Sequence, residues 1–127
     1  MQSQKSQSLE RLERMYKNLD TGMTRNKYLD MCEQLEQEPK DHEIPPDWED
    51  FPEIVRDAIN TFNQLGDRVF PEIGYVGKDY ANVQYYIEVY DIDDIEFFLE
   101  ILSWLDSRAI KKSSEELKRQ YDKLKRK

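Results

Sequence analysis

Chemistry in a chain this small has to come from a few reactive side chains. The sole histidine is His42 and the sole cysteine is Cys32. A thiol nucleophile needs an imidazole that orients and deprotonates it. Here His42 lies in an acidic linker and Cys32 falls on an apolar helical face ten positions earlier, so a buried structural thiol and a solvated imidazole account for both. The stretch "GYVGK", Gly74 to Lys78, has glycines and a lysine like a phosphate loop. It lacks the spacing, and the Ser or Thr after lysine, that cradle phosphate and hold magnesium. Turn formation explains Gly74 and Gly77 more simply. "DIDD", Asp91 to Asp94, offers three carboxylates without the central glycine or closing glutamate of a calcium loop, and reads as helix capping. Glu49 and Asp50 are neighbouring acids, but general acid–base work needs displaced pKa values in a cleft. No catalytic, cofactor-binding or metal site is expected, and the chain reads as non-enzymatic.

Binding chemistry is better represented. Glu43 to Val55 reads "EIPPDWEDFPEIV". Pro52 suits the first turn of a helix, where a missing N–H is no loss, and Glu53 favours the positive end of the helix dipole. "FPEIV" is therefore a helix start. "IPPDW" is not needed for that purpose. Paired prolines stiffen it, so docking would cost little ordering entropy, and Trp48 is a typical interface anchor. Ile44, Pro45, Pro46, Trp48, Glu49, Asp50 and Phe51 are the expected partner-binding residues.

The whole chain bounds these readings. Its 127 residues suffice for one domain with a real core. With 38% apolar and 36% charged residues, two Trp, eight Tyr and five Phe, it is globular but heavily solvated. Net charge is −8 and the pI near 4.7, which disfavours nonspecific binding to nucleic acid or anionic membrane. A lone cysteine excludes an internal disulfide framework and fits a reducing compartment. "MQSQKSQSLERLER" is too polar for a signal peptide, and "IEFFLEILSWL" is too short to span a bilayer. A soluble, intracellular protein is expected.

Charge is segregated along the chain. Glu33 to Asp57 holds ten acids against Lys40 and Arg56, and Glu88 to Asp106 holds seven acids and no base. Arg108 to Lys127 holds nine bases and three acids. That basic tail could touch phosphate backbones. In so acidic a chain it more readily folds along the protein's own surface or projects as a partner helix, so direct nucleic-acid contact is disfavoured except through the tail.

The elements that must position these residues are helical. Leu9, Leu12, Met15, Tyr16 and Leu19 recur at helical spacing, with Ser8 as cap and Gly22 as terminator. Thr24 caps a second helix that places Tyr28, Met31, Cys32 and Leu35 on one face. Ile54, Val55, Ala58, Ile59, Phe62 and Leu65 predict a third, and Val83, Tyr86, Ile87 and Tyr90 a short fourth. Asp91 or Asp93 is expected to cap the helix carrying Ile95, Phe98, Leu99, Leu102 and Leu105. Ser113 with Glu116 matches a capping box that would open a separate final helix. Phe70 to Tyr80 fits either a structured loop or a tight pair of short strands, with the loop preferred. The expectation is an all-α, compact single-domain bundle of about five to six helices, with an irregular Gly/Pro loop at 66–81. It would comprise an N-terminal helical extension (1–22), an acidic core (23–110) and a basic helix or tail (111–127).

The order of features from Met23 onward resembles a group of small acidic proteins encoded by tailed, particularly marine, bacteriophages. The elements carrying it are "YLDMCE", "EIP", "DFP" opening a helix, and "GYVGK". It covers roughly Met23 to Arg108 and brings no catalytic residues with it. The resemblance implies a phage accessory protein in the host cytoplasm or the virion. It would act through protein–protein contacts in virion (tail) assembly, or as a small virion component, with a phage or host protein as partner and oligomers allowed. The alternative is an acidic inhibitor or modulator of a nucleic-acid-binding protein such as RNA polymerase or a nuclease, if the acidic stretches share one face.

Overall fold

The computed structural model describes residues 4–125. Residues 1–3 of the expected extension, and Arg126 and Lys127 of the basic tail, lie outside the described residues. The chain divides into two compact units, residues 1–52 and 53–127.

The first unit contains α1 (Gln4–Thr21), α2 (Arg25–Gln34) and a 3-10 turn at Trp48–Asp50. Helix α1 begins before Ser8, which is buried within it beside Leu12 and is not its cap. The helix ends as glycine allows. Gly22 takes φ +75°, and the Met23 N–H reaches back to the Asn18 carbonyl at 2.8 Å, a paired closure that satisfies the last carbonyls. Thr24 caps α2 as expected, its hydroxyl accepting from the Lys27 N–H at 3.1 Å. Tyr28 and Cys32 are buried on that helix, while Met31 and Leu35 are exposed.

The second unit contains α3 (Glu53–Gln64), β1 (Asp67–Phe70), β2 (Gly74–Lys78), α4 (Val83–Val89) and α5 (Ile95–Lys125). Its core lies where α3 packs on the first half of α5. Val55, Ala58, Ile59 and Leu65 meet Phe97, Phe98, Ile101, Leu102 and Leu105 in the buried set. The fold is thus predominantly helical with a small two-stranded sheet, not all-α. The region expected as an irregular loop is an antiparallel hairpin pairing Asp67 with Lys78 and Phe70 with Gly74. A register shift after Arg68 leaves Val76 bulged.

Two further expectations need correction at α5. Asp94, not Asp91 or Asp93, caps it, with its carboxylate accepting from the Phe97 N–H at 3.1 Å. The helix then runs unbroken past Ser113, so no separate final helix starts there. The expected core–tail boundary at 110/111 falls inside one helix. A capping box works only where the chain enters a helix, and here the preceding turn already supplies carbonyls for the Ser113 region.

Hairpin and α5 approach each other through the two glycines. A Cβ on Gly77 would lie 3.2 Å from Asp106 Oδ2, and one on Gly74 would lie 2.8 Å from Leu117 Cδ1. Both glycines have positive φ, +128° and +85°, so each is fixed by conformation as well as by space. Gly77→Ala should therefore destabilise the protein by about 2 kcal/mol, measured by urea denaturation. A loss of no more than a few tenths of a kcal/mol would show that the hairpin can lift off α5 without cost.

Candidate functional site

In the first unit, the segment singled out for binding is held by three arginines. The Arg25 Nε–H donates to the Pro45 carbonyl at 3.1 Å, and its Nη2 donates to Asp50 Oδ2. Arg11 donates to the Asp50 carbonyl at 3.3 Å, and Arg14 to the His42 carbonyl at 3.2 Å. The same segment closes on itself. Asp47 caps the 3-10 turn, and Asp50 reaches back to accept from the Asp47 N–H at 2.8 Å. That backbone donor, followed by the Arg25 guanidinium, holds the Asp50 carboxyl below its ordinary pKa. Upstream, the Tyr28 hydroxyl donates to Glu43 at 3.0 Å and accepts from the Lys40 N–H at 3.2 Å. A segment rich in acids and prolines is thereby fixed in one conformation.

The seven expected binding residues separate into groups. Pro45 and Phe51 are buried, with Phe51 3% exposed. Ile44, Pro46 and Trp48 are half-buried, and Glu49 and Asp50 are exposed. Trp48 and Pro46 line an open pocket of about 360 Å³ whose other apolar walls are Met15, Leu19, Met23 and Pro45, with Asn18, Thr24, Arg25, Asn26 and Asp47 as its polar lining. The arginines lie on a second recess of about 310 Å³, shared with Asp41 and Asp50. A large aromatic at the rim of a partly apolar pocket, on a segment tied down by several hydrogen bonds, is suited to receiving an apolar side chain from another protein.

The motifs weighed for catalysis are placed otherwise. Cys32 is buried, and the His42 side chain is 74% exposed beside Glu43 at 3.7 Å. Lys78 of "GYVGK" is occupied. Its ammonium donates to Asp67 at 2.6 Å and to the Leu65 carbonyl at 3.2 Å, and sits 4.6 Å from the Phe62 ring centre. Among the described residues no group of three or more His, Cys, Asp and Glu is disposed to hold a metal ion.

The most distinctive polar cluster was not visible as such in the sequence. Asp106, 8% exposed, accepts from the Tyr75 hydroxyl at 2.5 Å, the Tyr80 hydroxyl at 2.7 Å and the Lys78 N–H at 3.2 Å. Burial alone would raise its pKa, but the two tyrosine hydroxyls and the Lys78 amide outweigh burial and hold it below the ordinary carboxylate value. Burial, and then the same carboxylate, push both tyrosines upward. The sequence signal was a single acid directly after buried Leu105, which composition had absorbed into the acidic stretch.

The chain matches no protein-family model, and no curated protein or solved structure is significantly similar to it. Among the described residues no helix is long and apolar enough to cross a membrane.

Linkage fixes the sign of the pH response. A carboxyl with a depressed folded pKa contributes stability that is present above its unfolded pKa and lost as pH falls through the folded value. Tyrosines with raised pKa values contribute stability that is present below the unfolded value of 10.0 and lost above it. Asp106→Asn should cost about 2 kcal/mol at neutral pH and flatten the acid limb of a stability–pH curve measured by denaturation. An unaltered acid limb would assign acid sensitivity to other carboxylates.

Proposed function

We propose that this protein is a non-enzymatic bacteriophage accessory protein that works by docking on another protein during virion (tail) assembly, or as a small virion component. The supporting observation is the preorganised Trp48 segment. Arg11 and Arg25 hold it at the Asp50 and Pro45 carbonyls, Arg14 holds the His42 carbonyl just before it, and Trp48 borders a partly apolar pocket with Met15, Leu19 and Met23. Ordering costs are met on folding, before any partner arrives, so apolar contact at the pocket goes into affinity. The phage setting rests on the resemblance in "YLDMCE", "EIP", "DFP" and "GYVGK". The prominent buried carboxylate, Asp106, is engaged by three donors with its pKa lowered, which suits a structural role better than that of a general base.

A second reading is favoured by one observation in the second unit. Glu53 and Asp57 line the same recess of about 450 Å³ as Asp91, Asp93 and Asp94, so parts of both acidic stretches share a surface. Burial, then the nearby Glu53, raises the Asp57 pKa. Such a surface could imitate phosphates toward the basic channel of a polymerase or nuclease, held by contacts that salt weakens.

Trp48→Ala tests the first reading. Captured from infected-cell lysate, a virion protein should be retained by the wild type, with affinity roughly tenfold to a hundredfold lower for the variant. Thermal stability should change little, since Trp48 is only half-buried. Loss of folding would place Trp48 in the core. Retention of a polymerase or nuclease instead, released by moderate salt and indifferent to Trp48, would replace the first reading with the second.

A further inference from the structure

Two recesses of the first unit adjoin. Arg25 and Pro46 line both the Trp48 pocket of about 360 Å³ and the arginine recess of about 310 Å³. The second recess carries an excess of cation. Arg11, Arg14 and Arg25 line it with Asp41 and Asp50, a surplus of one positive charge in a chain of net −8. Arg25 is ion-paired with Asp50. Arg11 and Arg14 donate through Nη1 to carbonyl oxygens. Such bonds orient a guanidinium without cancelling its charge, and each guanidinium has two further donor nitrogens.

That charge selects the occupant. Among unmodified peptide side chains, a carboxylate is the one that matches oriented guanidinium donors. A basic segment would be repelled there, and a purely apolar one would leave the charges unanswered. Next door, Met15, Leu19, Met23 and Trp48 can take an apolar side chain. An extended chain advances about 3.3 Å per residue, so one short segment can carry both groups. The acids elsewhere in the chain oppose such a partner only weakly, because exposed charges beyond about 8 Å are screened at physiological salt.

We propose that the Trp48 segment recognises a protein segment bearing Asp or Glu within about three residues of a large apolar side chain. The carboxylate enters the recess of Arg11 and Arg14, and the apolar group lies beside Trp48. This rests on the docking function proposed above and adds the partner's chemistry to it.

The test uses the full chain and fluorescein-labelled, end-capped peptides of about twelve residues in a Gly/Ser background. Each carries one Leu or Phe, with Glu or Gln about two residues away; fluorescence anisotropy reads binding. Glu peptides should bind roughly tenfold tighter than their Gln counterparts. Arg11→Gln combined with Arg14→Gln should erase that difference. Asp41→Asn removes an exposed carboxylate from the recess and should widen the difference about twofold. If circular dichroism shows the arginine double variant unfolded, Asp41→Asn and the wild-type comparison decide. Equal binding of Glu and Gln peptides, lost on Trp48→Ala, would overturn this inference and leave the docking pocket standing. A Glu preference that Asp41→Asn leaves unchanged would seat the carboxylate elsewhere and overturn it too. Absence of binding by every peptide, or binding indifferent to Trp48→Ala, would remove the pocket and this inference together.

Discussion

An ionised carboxylate can be buried only if hydrogen-bond donors replace the water it gives up. In the second unit, Asp106 obtains those donors from the hairpin and the residues just after it: Tyr75, the Lys78 amide and Tyr80. The carboxylate thereby specifies where the hairpin sits on α5. Gly77 follows from it, since the strand must come close enough for the Lys78 amide to reach Oδ2, and any Cβ there meets the same oxygen. Lys78, drawn in by its backbone, spends its ammonium on Asp67, Leu65 and Phe62. One acid on a helix thus organises two strands, two aromatic hydroxyls and a lysine.

The first unit solves an opposite problem with the opposite charge. Its linker has few apolar residues and many acids, so burial alone could not order it. Guanidinium groups can, because each offers several N–H donors in a rigid fork that suits carbonyls and carboxylates. Arg25 bridges Pro45 and Asp50, while Arg11 and Arg14 hold the flanks. The result is a polar framework with Trp48 and Pro46 standing over an apolar recess. Chemical roles are divided: polar groups give shape, and apolar groups line the recess.

Helical periodicity made most of the elements legible. Thr24 announced α2 by its chemistry, and the spacing of Val55, Ala58 and Ile59 marked the buried side of α3. What could not be read depended on partners distant in sequence. The hairpin carries two glycines in a five-residue strand, a local pattern that favours a turn, and only α5, with Asp106 against Gly77 and Leu117 against Gly74, makes those glycines necessary. Ser113 and Glu116 satisfied a local rule that the preceding helix overrode. Asp94 displaced its neighbours as cap because Asp91 itself adopts positive φ, 50°, where α4 ends. At the segment proposed for binding, composition pointed to Trp48 and the prolines. It could not separate Phe51, which is buried, from residues facing solvent, nor foresee that Arg11, Arg14 and Arg25 would converge there.

Strand β1 is exposed along its whole length, and β2 is the only strand it pairs with among the described residues. Its outer backbone is an open template to which another extended chain could add, with Val69 and Phe70 supplying apolar encouragement. Several features discourage such growth. The strand has only four residues, the bulge opposite Arg68 and Val69 twists the ribbon, and Pro71 cannot donate a hydrogen bond where the edge would continue. Asp67 and Arg68 place both signs of charge at the other end. A hairpin that must stay small to fit over one carboxylate is, for the same reason, too short and too bent to seed a fibril.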